Sequence, residues 1–258
     1  MRQARRPSPF SASVDPEDIA RFEAESRAWW DTEGPFRLLH AMNPLRLAYI
    51  RHQIGAIMPP PSTPSQPYAG LTWLDVGCGG GLLTEALARE GAAITGLDAS
   101  EGAVRAAEAH ARATGLANAL NLQYRVGSAE DLLHEDKGPF DVITALEVLE
   151  HVADRGAFLA ALGRLVRPGG LLIIATLNRT PQSLIKAVWT AEYALRLVPP
   201  GTHTWRSFVR PSELVRALET EGFTARHLTG WTYSPWTGAF ALTPRKTDVN
   251  YFLTAQKG

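Results

Sequence analysis

Four of the five residues from Gly77 to Gly81 are glycine, with Cys78 between the first two, and Leu74-Asp75-Val76 leads into them. A glycine cluster where a strand turns into a helix lets the backbone approach a ligand closely, and the helix start adds free amide donors. Asp98 follows 21 residues after Gly77, where an acid suits the free hydroxyls of a ribose. A dinucleotide fingerprint, Gly-x-Gly-x-x-Gly, would need its last glycine at 82 or 84, and those positions hold Leu82 and Thr84. An NAD-dependent oxidoreductase is thereby disfavoured. Asp75 tolerates a cofactor with a cationic amino-acid part better than a pyrophosphate. Together these residues point to S-adenosylmethionine.

A second group lies further on. Glu147, Glu150 and His151 are spaced i, i+3, i+4, which on a helical turn places them on one face. Two carboxylates and an imidazole form a plausible donor set for a divalent cation. Glu and His on a helix are more often simply solvated, so the spacing alone leaves this site open.

The elements that must position these residues follow from the hydrophobic pattern. Residues 71–76, 92–97, 120–126, 140–146 and 171–177 read as strands, with helical sequence between them and a turn at Arg167-Pro168-Gly169-Gly170. Helical sequence is expected to run from the end of the fourth strand to Val166. Strands alternating with helices predict βαβ units and a doubly wound α/β fold. Residues 223–228 and 249–255 read as late strands, an antiparallel pair at one edge, which makes a mostly parallel, seven-stranded sheet. Such sheets bind ligands at the carboxyl ends of their strands.

Flanking segments divide the rest. Residues 1–14 carry Arg2, Arg5 and Arg6 and no acid, and read as a disordered tail. A mitochondrial presequence would share this composition but is usually longer and amphipathic. Residues 15–57 read as a helical cap, with Gly34-Pro35 ending one helix and Asn43-Pro44 opening another. The proline-rich stretch within 58–70 reads as a linker. Residues 71–177 form the core, 178–210 a helical insertion, and 211–258 a closing helix and strands, all in one domain. Within the insertion, 182–198 is amphipathic, with Leu184, Val188 and Leu195 on one side and Lys186, Glu192 and Arg196 on the other. That apolar side covers either the protein's own core or a membrane surface. Trp205, Phe208, Trp231, Tyr233 and Trp236 are candidates to line a substrate entrance, or else core.

Composition sets limits. The 258 residues hold 26 basic and 26 acidic side chains and one cysteine, and 45% are apolar. The balanced charge argues against a nucleic-acid binder. A lone cysteine excludes an intrachain disulfide framework and fits a reducing compartment. No apolar run reaches the about 20 residues that span a bilayer.

The motifs 74–81 with Asp98, Phe140-Asp141-Val142-Ile143 and Leu165-Val166-Arg167-Pro168-Gly169-Gly170 resemble those of class I S-adenosylmethionine-dependent methyltransferases (a Rossmann-like fold). A closer resemblance, over nearly the whole chain, is to the ubiquinone-biosynthesis O-methyltransferases. It rests on Ile19-Ala20-Arg21-Phe22-Glu23, Trp29-Trp30-Asp31, His40-Ala41-Met42-Asn43-Pro44-Leu45-Arg46-Leu47, Glu147-Val148-Leu149-Glu150-His151-Val152, Thr176-Leu177-Asn178-Arg179, Pro199-Pro200-Gly201-Thr202-His203 and Asp248-Val249-Asn250-Tyr251.

That resemblance implies O-methylation of polyprenyl catechol and demethylubiquinol intermediates, with a small soluble catechol or phenol as the alternative acceptor. It implies cofactor contacts at Arg46, Gly77, Asp98 and Leu146. Arg46 makes physical sense there, as a cation for the cofactor's carboxylate. It implies Mg²⁺ or another divalent cation at Glu147, Glu150 and His151, chelating the two catechol oxygens. It leaves Glu130 open between a place near the adenine and a solvated helix start, and it assigns no general base. It favours a cytoplasmic protein, peripheral on the inner membrane of a bacterium through 182–198, over one of the mitochondrial matrix. It also raises a complex with other ubiquinone-pathway enzymes.

Overall fold

The structure, a computed structural model, describes residues 26–58, 65–119, 121–184 and 205–258. The expected tail, the start of the first cap helix, most of the proline-rich linker and nearly all of the amphipathic segment 182–198 lie outside the described residues.

The chain order begins with α1 (Arg37–Ile57), β1 (Thr72–Val76), α2 (Leu82–Arg89), β2 (Ala93–Asp98) and α3 (Glu101–Ala113). It continues with β3 (Leu122–Val126), α4 (Ala129–His134), β4 (Phe140–Leu146), α5 (Arg155–Leu165) and β5 (Val166–Leu177). It closes with α6 (Pro211–Thr220), β6 (Phe223–Ser234), β7 (Ala239–Thr243) and β8 (Asn250–Lys257).

One sheet runs in the order β3-β2-β1-β4-β5-β8-β6-β7. The first five strands are parallel, and β8, β6 and β7 each pair antiparallel to their neighbour. The seven expected strands are all present, and β7 adds an eighth as the return arm of a hairpin. Its sequence, Ala-Phe-Ala-Leu-Thr, is short and mostly exposed, so it lacks the buried apolar run by which the inner strands were read. The late strands are paired as expected, but β8 inserts between β5 and β6.

Strict alternation explains why both sheet faces are covered. Leu74, Ile143, Leu172, Ile174, Tyr251 and Leu253 pack on one face with Phe158, Leu162 and Leu218 from α5 and α6. Trp73, Val142, Leu171, Ile173 and Phe252 pack on the other with Tyr49, Ile50 and Ile54 of α1 and Leu83 and Leu87 of α2. The cap helix α1 is thus part of the core. It does not open at Asn43: it begins at Arg37 and carries Pro44 inside. An internal proline removes one helical hydrogen bond. Here the buried stripe Met42, Arg46, Tyr49, Ile50, Gln53 and Ile54 offsets that loss.

Two further expectations are corrected. The turn at Arg167–Gly170 falls within β5, whose register against β4 shifts between Phe140 and Val142. The sequence after β4 is not continuously helical. Glu147 takes a left-handed φ of 56°, Leu149–His151 form a single 3-10 turn, and α5 starts only after Asp154 caps it through the Ala157 amide at 3.0 Å.

Strand order reverses between β1 and β4, which opens a crevice beyond their carboxyl ends. The glycine cluster leaves β1 there, and Glu147 leaves β4 beside it. Asp75 anchors this point from within. Its two carboxylate oxygens accept from the hydroxyls of Thr84 at 2.6 Å and Thr144 at 2.7 Å, tying β1 to α2 and β4. Burial pushes its carboxyl up to about 6, against the pull of those hydroxyls.

The folded chain therefore holds this proton more tightly than the unfolded chain. The stabilisation is fully present below about pH 4 and is lost as pH rises through about 6. Asp75→Asn keeps the shape and removes the titration. Between pH 4 and pH 7 the wild type is expected to lose on the order of 2 kcal/mol relative to this variant, read by urea denaturation. Parallel pH profiles for the two proteins would contradict the assignment.

Candidate active site

The glycine loop is fixed from several sides. The amides of Gly77 and Cys78 both donate to the Leu97 carbonyl, at 2.8 and 3.1 Å, so the loop rides on the end of β2. Gly77 adopts a φ of 70°, and a Cβ there would lie 2.3 Å from a methyl of Val148. Side chains are thus excluded at Gly77 by conformation and by space. Cys78 is a free, buried thiol whose pKa burial drives well upward; it is packing rather than a nucleophile.

Asp98 ends β2 and is held rigidly. One carboxylate oxygen accepts from the Gly79 amide at 2.8 Å and the other from the Ser100 amide at 2.8 Å. A carboxylate only accepts when ionised, which is the chemistry that ligand hydroxyls require. Leu146, at the end of β4, is 8% exposed within the α1-side core. Glu130 is not the solvated acid that a helix start allows. It is 9% exposed, and neither carboxylate oxygen has a hydrogen-bond partner. The signal that could have found it is the capping box beside it, Ser128 with Asp131, which fixes where α4 begins. Asp75 does not face a ligand: its oxygens are both committed to threonine hydroxyls.

Arg46 projects from α1 and forms an ion pair with Glu147. The pair is incompletely satisfied, since Arg46 Nε and Glu147 Oε1 are buried without partners. Burial raises the Glu147 carboxyl, Arg46 opposes that, and nearby Glu150 adds to it. Glu150 is buried and accepts from the Thr176 hydroxyl at 2.7 Å. These two acids therefore share one neighbourhood. His151 does not complete a triad: among the described residues no group of three such donors is gathered to hold a metal ion. The physical reason is the left-handed turn at Glu147, which breaks the helical face that i, i+3, i+4 spacing presumes. As arranged, the three do not fit a divalent cation, and no step below is routed through one.

The aromatic residues divide. Phe208 and Trp231 are core, at 0% and 8% exposure. Trp205 is half-buried and donates its indole N–H to the Thr180 carbonyl at 2.9 Å. Tyr233 packs on Phe240 across the β6–β7 hairpin, and Trp236 projects from the hairpin tip, 96% exposed.

An open crevice at the strand reversal, a glycine loop, a pinned acid at the end of β2 and helices on both faces define a class I methyltransferase fold. The sequence profile of the methyltransferase-domain family matches residues 46–228. A ubiquinone biosynthesis O-methyltransferase of Caulobacter vibrioides is 47% identical over 257 residues, covering 100% of both chains. One of Cronobacter sakazakii is 43% identical over 248 residues, covering 96% of both. The chain belongs to the ubiquinone biosynthesis O-methyltransferase family. Among solved structures, magnesium protoporphyrin IX methyltransferase from Synechocystis, with bound SAH, superposes with a TM-score of 0.63 at 21% identity, covering 94% of each chain. The plantazolicin methyltransferase gives 0.60 at 15% identity, covering 93% of this chain and 98% of the other. These two likenesses concern the fold.

Removing the cation of the Arg46–Glu147 pair leaves a largely buried carboxylate unpaired. Arg46→Ala is expected to cost about 3 kcal/mol of stability, and Arg46→Ala with Glu147→Gln to recover most of it. Additive losses in denaturant titrations would show that the two side chains do not interact.

Proposed function

We propose that this chain transfers the methyl group of S-adenosylmethionine to a ring hydroxyl of a polyprenylated catechol or demethylubiquinol. The observation that carries this reading is full-length identity to ubiquinone biosynthesis O-methyltransferases, with the glycine loop and Asp98 in place. In this proposal Asp98 accepts from the ribose hydroxyls. Gly77 lets the backbone approach the cofactor, Leu146 packs against it, and Arg46 pairs with its carboxylate. The phenolate oxygen attacks the methyl carbon in line with the C–S bond. The sulfur keeps the bonding pair, and S-adenosylhomocysteine leaves. The protein supplies alignment and exclusion of water. No side chain is assigned as the base that takes the phenol proton.

The divalent cation belongs to the same reading only if Glu147 and Glu150 can be joined by His151. Chelation separates the cases. EDTA sensitivity reversed by Mg²⁺ would require the turn at Glu147 to rearrange, and indifference would leave Glu147 as the partner of Arg46.

Peripheral membrane contact suits a polyprenyl substrate. Among the described residues no helix is long and apolar enough to cross a membrane. Support for surface contact comes from the β6–β7 hairpin, whose tip carries the exposed Trp236. Because β6 runs antiparallel to β8, and β8 antiparallel to β5, that tip lies beyond the same sheet edge as the crevice. Tryptophan is favoured at the membrane–water interface.

Two measurements test the reading. Mass spectrometry with S-adenosylmethionine and a short-chain prenylated catechol is expected to show a single methyl added to the acceptor. Cofactor binding without transfer would move the acceptor to a soluble phenol. In liposome flotation, Trp236→Glu is expected to reduce the lipid-bound fraction several-fold; an unchanged fraction removes the hairpin from the interface.

A further inference from the structure

The segment that precedes α1 is fastened onto the glycine loop. Trp29 is 6% exposed. Its ring lies where side chains of the loop would be: a Cβ on Gly79 would fall 2.3 Å from its Cη2, and one on Gly80 would fall 2.5 Å from its Cβ and Cγ. The Trp29 ring stacks on Phe36, with centroids 3.8 Å apart and planes within 4°. Its carbonyl is bonded to His40 Nε2 at 2.8 Å. The next residue, Trp30, donates its indole N–H to the Gly80 carbonyl at 3.0 Å and stacks on His110. His110 in turn contacts Glu85 of α2 at 2.9 Å.

The indole N–H of Trp29 is buried and has no acceptor. Buried indole N–H groups usually find a partner, and leaving one unmade is costly. The Gly80 carbonyl accepts from the Trp30 indole. The Asp98 oxygen nearest the loop accepts from the Gly79 amide, not from this indole. An indole only donates, so what this group lacks among the described residues is an acceptor.

We propose that Trp29 is a cofactor-binding residue, and that its indole N–H donates to an oxygen of S-adenosylmethionine bound against Gly79–Gly80. This rests on the reading that the chain binds this cofactor. The ring does two things at once. It fills the space beside Gly79 and Gly80, and it presents one directional donor to a ligand rich in acceptor oxygens. Trp30 is the positioning residue beside it, because its own N–H is spent on the loop.

The experiment is titration calorimetry of the full chain with S-adenosylhomocysteine, for wild type and Trp29→Phe. The phenylalanine keeps an aromatic ring and removes the N–H. The expected result is affinity about tenfold weaker in the variant, the loss of one good hydrogen bond, measured at a temperature where both free proteins are fully folded. Equal affinity, within about twofold, overturns the assignment. A wild type that does not bind at all would overturn the functional reading instead. A second measurement needs no variant. The seven tryptophans give resolvable indole N–H resonances, and one is expected to move downfield when S-adenosylhomocysteine is added. If none moves, the proposal fails even where Trp29→Phe does not fold.

Discussion

The organising constraint of this protein is that the loop after β1 has no room for side chains. The space beside each glycine is claimed by a different part of the chain. Val148, just past β4, fills the place beside Gly77, Trp29 fills those beside Gly79 and Gly80, and the Tyr124 hydroxyl of β3 fills the one beside Gly81. Three segments far apart in sequence thus converge on five residues. The cluster serves close approach by a ligand on one side and close packing by the protein on the other. A single added methyl would have to displace a tryptophan, a tyrosine or the strand exit. Protein interiors do not yield easily to such changes.

A second pattern concerns acids. The crevice is bordered by carboxylates, each managed differently. Asp75 is held by two hydroxyls, Asp98 by two backbone amides, Glu150 by Thr176, and Glu147 by the Arg46 cation. Glu130 has no partner at all. One oxygen of Glu147 is likewise without a hydrogen-bond partner among the described residues. The distribution suits a ligand that brings hydroxyl and amine donors and a positive charge, because those are what a carboxylate-lined crevice rewards. It does not suit a pyrophosphate.

Much of this was legible in the sequence. The five parallel strands could be read because each is a short apolar run closed by a polar or glycine turn, and Asp98 because it ends one of them. What escaped notice has local causes. The i, i+3, i+4 spacing of Glu147, Glu150 and His151 matches a helix, but spacing carries no information on the left-handed φ at Glu147 that prevents one. Pro44 reads as a helix start because proline favours the first turn; only the buried face of α1 shows why an internal position is tolerated. β7 lacks a buried stripe and is held by its hairpin partner. The placement of Trp29 on the glycine loop depends on contacts fifty residues apart, and no periodicity reports those.

The pair of Arg46 and Glu147 joins the cap helix α1 to the β4 exit. One guanidinium can serve two carboxylates only by sharing its donors, and Arg46 has a buried Nε left over for a second acceptor. A ligand carboxylate that engages that nitrogen need not break the existing bond to Glu147. A carboxylate that takes the whole fork would leave Glu147, whose carboxyl burial already raises, beside Glu150, which raises it further. Such a pair must then take up a proton, or hold a cation if both acids are to stay ionised. The chemistry available beyond β4 is therefore set by how Arg46 divides its donors, which is why a residue on the cap helix governs a site built by the sheet.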